Sequence, residues 1–194
     1  LTNMNEICNQ THCEIFSSFI VLFSFLFSII EIEIEGKYGW AKNLPTVHLT
    51  KNPKSLTFYH VYIFLFVFSA FNMIFFIRTE LLNWSNWLYI FSMTLMFFFL
   101  EDMYWFFANP FHSITEKNEW HVYWGPIPML YIVLPTSAFL LSLLAGYKIT
   151  FLWNLLAFFI GSIVVFGLSQ LYRRFYTRTH PDVVITKICC ENGD

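Results

Sequence analysis

The chain has 194 residues, of which 57% are hydrophobic and only 12% charged, with 25 phenylalanines and a net charge of -2. That apolar content exceeds what a soluble core of this size buries, so most of the solvent must be lipid. The lack of a strongly basic balance excludes a nucleic-acid binder driven by counterion release.

Residues 1–14 are polar, carry Cys8 and Cys13, and lack the basic leader of a conventional signal peptide. A first span is expected over 15–34, close to the ~20 residues needed to cross ~30 Å of hydrocarbon. It runs into the stretch EIEIEGKYGWAKNLPT, from Glu31 to Thr46, which sets three carboxylates where the helix should be ending. Glu31 and Glu35 share one helical face and Glu33 points elsewhere, whereas a short strand would put all three on one face. The alternation fits both, and the length a span needs favours the helix. Gly36 and Gly39 then supply the exit from the helix. Residues 37–56 form a connection with Pro45, Pro53 and four lysines.

A second span is expected over 56–77, with Tyr59 and His60 near its start and Asn72 inside it. Arg78, Glu80, Trp84 and Trp87 mark a short wet turn with an aromatic belt. A third span over 87–107 ends at Asn109-Pro110, because the residue before proline avoids the helical region. Residues 109–127 read as a polar connection with one interfacial turn over 116–124. A fourth span over 128–145 contains Pro135, which should kink it. A fifth over 149–172 offers Gly161, Ser162, Gly167 and Ser169 as a small-residue face for close helix packing. No Gly/Ser linker, repeat, P-loop or GxGxxG interrupts the chain, so residues 1–194 form a single integral membrane domain.

The expected fold is therefore all-α, a polytopic bundle of about five transmembrane helices. With alternating spans, one side carries 2 Lys/Arg residues and the other 9. The positive-inside rule then places the N-terminus outside and the C-terminus in the cytoplasm, in a cell inner membrane or the equivalent face of an organellar one. On that side fall Glu31, Glu33, Glu35, Glu101 and Asp102, together with every histidine except His12.

Counting ~1.5 Å per residue from each outer end puts Glu31, His60 and the Glu101/Asp102 pair at one depth. Carboxylates in the last turns of a helix oppose its macrodipole, and in a low dielectric they must find protons, bases or a metal. Glu101 and Asp102 are the expected catalytic pair. Glu31, Glu35, His60, Glu101 and His121 are the expected ligands of a divalent transition metal, iron or zinc, since carboxylate plus imidazole suits those ions. Tyr59, Tyr104, Trp105 and Asn109 stand near enough in sequence to support them. Established ligand spacings such as HExxH are absent. The bland alternative is that Lys37, Lys42, Arg173 and Arg174 neutralise the acids while the tryptophans and His112 serve only as membrane-surface residues. Cys189 and Cys190, in the polar tail, read as incidental.

Three functions fit. The first is a membrane-embedded enzyme or metal-binding protein acting on a lipid-soluble or interfacial small molecule. The second is a noncatalytic subunit packing its Phe-rich spans on other membrane proteins, and the third is a proton or ion pathway. A cavity between spans 1, 2 and 3 with acids facing it would favour the first.

Overall fold

The structure, a computed structural model, describes residues 10–36, 39, 41, 44–49, 56–112 and 122–180, without the side chains of 10–14 and Lys148. His121 and the thiols of all four cysteines lie outside the described residues. Five helices dominate: α1 (Gln10–Glu35), α2 (Phe58–Ile77), α3 (Trp84–Ala108), α4 (Leu130–Leu144) and α5 (Lys148–Thr179). All but α4 are long and apolar enough to cross a membrane. With 15 residues, α4 extends only about 22 Å at the α-helical rise.

Helix ends depart from the hydropathy reading for local reasons. The α3 helix begins at Trp84 rather than 87 because the Asn83 side chain accepts the Asn86 N–H at 2.9 Å, satisfying a first-turn donor. The α5 helix runs past 172 to Thr179 and stops just before Pro181. Hydropathy marks where lipid ends, and the polar residues 173–179 remain helical beyond that point. In place of the expected start of the fourth span, β1 (Tyr123–Trp124) pairs antiparallel with β2 (Ile127–Pro128), so α4 begins only at Leu130. The expected interfacial turn over 116–124 thus ends in a hairpin, and its residues 116–121 lie outside the described residues. At the exit of α1, Gly36 takes φ 59°, the left-handed conformation that closes many helices.

Side-chain contacts fix how the helices run. Along α3, Ser85, Ser92 and Phe99 meet Ala145, which caps α4, and Ala138 and Tyr131 within it: the two hydroxyls donate to the alanine carbonyls, and the rings stack edge to face. Both series step by seven in opposite directions, so α3 and α4 are antiparallel with a coiled-coil-like repeat. The α1 and α3 helices run together, with Ser24 donating to the Phe97 carbonyl near their middles and Ile32 packed with Trp105 near their ends. Ser17, Val21 and Glu33 of α1 meet Asn154, Gly161 and Tyr172 of α5 in the same sense. The α2 helix lies antiparallel, with Phe71 against Phe16 of α1 and Tyr59 at Glu31. One end of the bundle therefore gathers the C-terminal ends of α1, α3 and α5 with the N-terminal ends of α2 and α4.

Within lipid, packing and polar contacts must hold these helices together, since apolar burial between them gains nothing over lipid contact. Phe97 is the centre of the core, with ring centroids 5.1–5.7 Å from Phe23, Phe27 and Phe71. Gly161 lets α5 approach α1 so closely that a Cβ there would lie 2.8 Å from Val21 Cγ1. Gly167, expected on the same small face, has nothing within 4 Å and points away. Beyond the Phe97 layer, Asn154 accepts from Ser17 and donates to Tyr89 Oη, both at 2.7 Å. Tyr147 stacks on Tyr89 at 4.5 Å and donates to Asn86 Oδ1 at 2.6 Å. That buried network knits α1, α3 and α5 at the end of the bundle opposite the acids.

Candidate functional site

Glu31 and Glu35 sit one turn apart at the end of α1, Glu101 and Asp102 in the last two turns of α3, and His60 in the first turn of α2. All five line one cavity of about 470 Å³, within the roughly 300–1,000 Å³ typical of small-molecule sites. Apart from the Trp105 indole, the rest of its wall is apolar, including Val61, Phe64 and Leu65 of α2, Leu95 and Phe98 of α3, and Leu130 and Leu134 of α4. The α2 and α4 helices flank α3 with little packing between them, and the cavity occupies the furrow they leave. Glu33 faces away, accepting from Tyr172 Oη of α5 at 2.6 Å. The helical reading of EIEIE therefore holds, with i, i+4 acids on the cavity face and the intervening one on another.

The acids differ in how they are held. Glu35 Oε1 accepts the Ala41 N–H at 2.7 Å and so ties down the chain after α1, where Ala41 takes the left-handed φ of 50°. Tyr59 Oη donates to Glu31 Oε1 at 3.4 Å. The carboxyl groups of Glu31 and Glu101 come within hydrogen-bonding reach of each other. The charged groups acting on Glu101 are Glu31, Asp102 and Glu35, all acids. Two carboxyl groups in contact at low dielectric need a proton or a cation between them. Glu101 is only 8% exposed, and its Oε1 has no hydrogen-bond partner. Arg173 and Arg174 form no ion pair among the described residues, and Lys37 and Lys42 lie outside them.

His60 is oriented by the residue that precedes its helix. Its Nδ1 accepts from the Thr57 N–H at 3.3 Å and contacts Thr57 Oγ1 at 2.8 Å. Thr57 is itself fixed by the bridge between His48 and Thr57. With Nδ1 accepting, the ring hydrogen of neutral His60 resides on Nε2, so that nitrogen donates. A metal-bound imidazole would instead carry its hydrogen on the other nitrogen and donate it to a supporting acceptor. Among the described residues, no group of three or more His, Cys, Asp or Glu side chains is arranged to hold a metal ion. His121, the remaining expected ligand, lies outside the described residues.

Trp105, read from sequence as a membrane-surface or supporting residue, is 5% exposed and lines the cavity, and its indole Nε1–H has no partner. His112 stacks on it at 5.3 Å. Tyr104, expected to support the acids, turns toward α5 and shares a 2.8 Å hydrogen bond with Ser162. Asn109 closes α3 as its Oδ1 accepts the Phe111 N–H at 2.9 Å, and Tyr131 of α4 lies beside Asp102. The site thus combines a cluster of acids, one oriented histidine and one unpaired indole donor against an aliphatic and aromatic wall. It can bind an amphipathic molecule and exchange protons with its polar end. Comparison with protein-family models, curated proteins and solved structures finds no match to this chain.

Proposed function

We propose that this is an integral membrane protein whose cavity takes a lipid-soluble small molecule, with Glu101 and Asp102 exchanging protons with its polar end. In this reading all five helices cross the bilayer, α4 with the help of the hairpin before it. The N-terminus is outside and the cavity sits at the cytoplasmic face. The antiparallel packing of successive helices and the 2-to-9 division of basic residues support that arrangement. The observation that carries the functional reading is the convergence of Glu31, Glu35, His60, Glu101 and Asp102 on one cavity with an otherwise apolar wall. A noncatalytic subunit would aim such acids at lysine or arginine, and neither acts on Glu31 or Glu101 among the described residues. A proton pathway would need polar groups through the full thickness, but Phe23, Phe27 and Phe97 fill the layer between the acids and the Asn154 network.

The test is to extract the protein from its membranes in mild detergent without chelators and to weigh the intact complex by native mass spectrometry. A retained amphipathic molecule is expected, absent from Leu95→Trp, which fills the cavity. Absence of any such molecule from the wild type, with Leu95→Trp behaving identically, would reject the reading. Elemental analysis of the same preparation decides whether the acids also hold iron or zinc. An equivalent of metal that Glu101→Gln abolishes would establish a metal-dependent site completed from outside the described residues. Less than about a tenth of an equivalent leaves the acids to protons and to the ligand.

A further inference from the structure

Two buried polar atoms of the cavity wall, one on Glu101 and one on Trp105, lack hydrogen-bond partners, and they are chemically opposite. Glu101 offers an acceptor, Oε1, in a cluster whose other charges are all negative. Trp105, one turn further along α3, offers a buried donor, Nε1–H. Buried polar groups are paired in nearly all native structures, so both are accounted for together by a ligand that supplies a donor to one and an acceptor to the other. From this end, Phe64 and Leu65 of α2 face Leu95 and Phe98 of α3 along the furrow. Phe64 stacks on Phe98 with centroids 5.6 Å apart, leaving a smooth wall with no polar side chain between the acids and Leu95.

Resting on the cavity reading above, we infer that the occupant is a lipophilic amine: its ammonium group sits between Glu31 and Glu101, a neighbouring hydroxyl or carbonyl oxygen accepts from Trp105 Nε1, and its alkyl chain lies along Phe64, Leu65, Leu95 and Phe98. An ammonium supplies the positive charge that the paired carboxyl groups lack, and its three N–H donors match an acceptor-rich pocket. Phosphorylated or carboxylated amphiphiles are disfavoured, because their anionic group would be held against Glu31, Glu35, Glu101 and Asp102 in a low dielectric. A neutral alcohol fits the wall but supplies no charge to the acids, which must then share a proton.

The test uses the full chain in phosphatidylcholine nanodiscs, with binding of tritiated 1-amino-2-dodecanol measured against empty nanodiscs. Dodecylamine, dodecanol and dodecanoate are the competitors. Saturable binding of the amino alcohol is expected, with dodecylamine competing at least about tenfold better than dodecanol or dodecanoate, the scale of a hydrogen bond to a charged group. Glu101→Gln should remove that preference while retaining dodecanol binding. Trp105→Phe should erase the advantage of amino alcohol over plain amine. Dodecanol or dodecanoate competing as well as the amine, with binding still blocked by Leu95→Trp, would overturn the amine while leaving the cavity reading intact. Absence of saturable binding by all four compounds, each tritiated in turn, overturns both. The ranking of competitors on wild-type protein is decisive even if a substituted chain fails to fold.

Discussion

At the scale of single residues, the cavity carboxyl groups are expected to serve function at the expense of stability. Glu101 is buried, touches another acid and leaves an oxygen unpaired, so replacing it by Gln removes a like-charge contact and supplies an amide that can donate to Glu31. Relief of roughly 1 kcal/mol would raise the melting temperature by about 2–4 °C for a chain of this size. Thermal unfolding in detergent is expected to show Glu101→Gln and Asp102→Asn folded and as stable as the wild type or more so, while competition binding shows the preference for the amine lost from Glu101→Gln. Collapse of both variants, rescued by removing Arg173 or Arg174, would mean that the acids are structural ion-pair partners instead. The Arg78–Glu80 pair supplies a contrast. Its side chains are 56% and 55% exposed, and the hydrogen bond from Arg78 holds the Glu80 carboxyl below its ordinary range. A depressed carboxyl pKa stabilises above the unfolded value and loses that effect as pH falls through the folded value. Glu80→Gln should therefore leave the melting temperature at pH 7 within error, since so exposed a pair contributes little, and any difference between variant and wild type should vanish in acid.

At the scale of helices, the α1–α5 contact depends on one absent side chain. A Cβ at Gly161 would meet both methyls of Val21 at 2.8 and 2.9 Å, so Gly161→Ala should destabilise the bundle by about 1–3 kcal/mol, the usual cost of overpacking. Val21→Ala should restore most of that loss, while Gly167→Ala, with open space around it, should be neutral or slightly stabilising. A double-mutant cycle followed by thermal unfolding checks all three; additive effects of Gly161→Ala and Val21→Ala would contradict the contact. Sequence reasoning put both glycines on one packing face because 161 and 167 are both small, yet six residues on a helix are 240° apart modulo the turn, and only Gly161 joins the buried stripe of Phe158, Val165 and Ser169. The convergence of Glu31, His60 and Glu101 was legible because depth along a span needs only the rise per residue and the direction of travel. The Ser17–Asn154–Tyr89 network was not, since each member is a lone polar residue in an apolar run and their meeting depends on how three helices are rotated about their axes. The burial of Trp105 escaped for a similar reason: a tryptophan near the end of a span resembles a headgroup residue until α2 and α4 are known to flank α3.

At the scale of the whole molecule, the packing fixes which helix ends lie together but leaves the direction of the bundle to the membrane's own asymmetry. Arg78 and Lys148 are the basic residues assigned to the end with the Asn86–Tyr147 contact, while nine are assigned to the acidic end and the segments joining it. Translocating those nine would cost far more than translocating two, so the acidic cavity is expected to face the cytoplasm. Exposed Thr79, in the turn between α2 and α3, and Thr179, at the last residue of α5, provide the reporters. In a chain whose four native cysteines are changed to serine, Thr79→Cys should react with a membrane-impermeant maleimide added to intact cells. Thr179→Cys should react only after the membrane is opened. The reverse pattern would invert the protein and move the cavity to the outer face. Labelling of both from outside would break the alternation itself, leaving α4, the 15-residue helix, as the element that fails to cross: without its crossing, α5 would enter from the side opposite to α3 and could not run parallel to it, as the Tyr104–Ser162 and Tyr89–Asn154 contacts require.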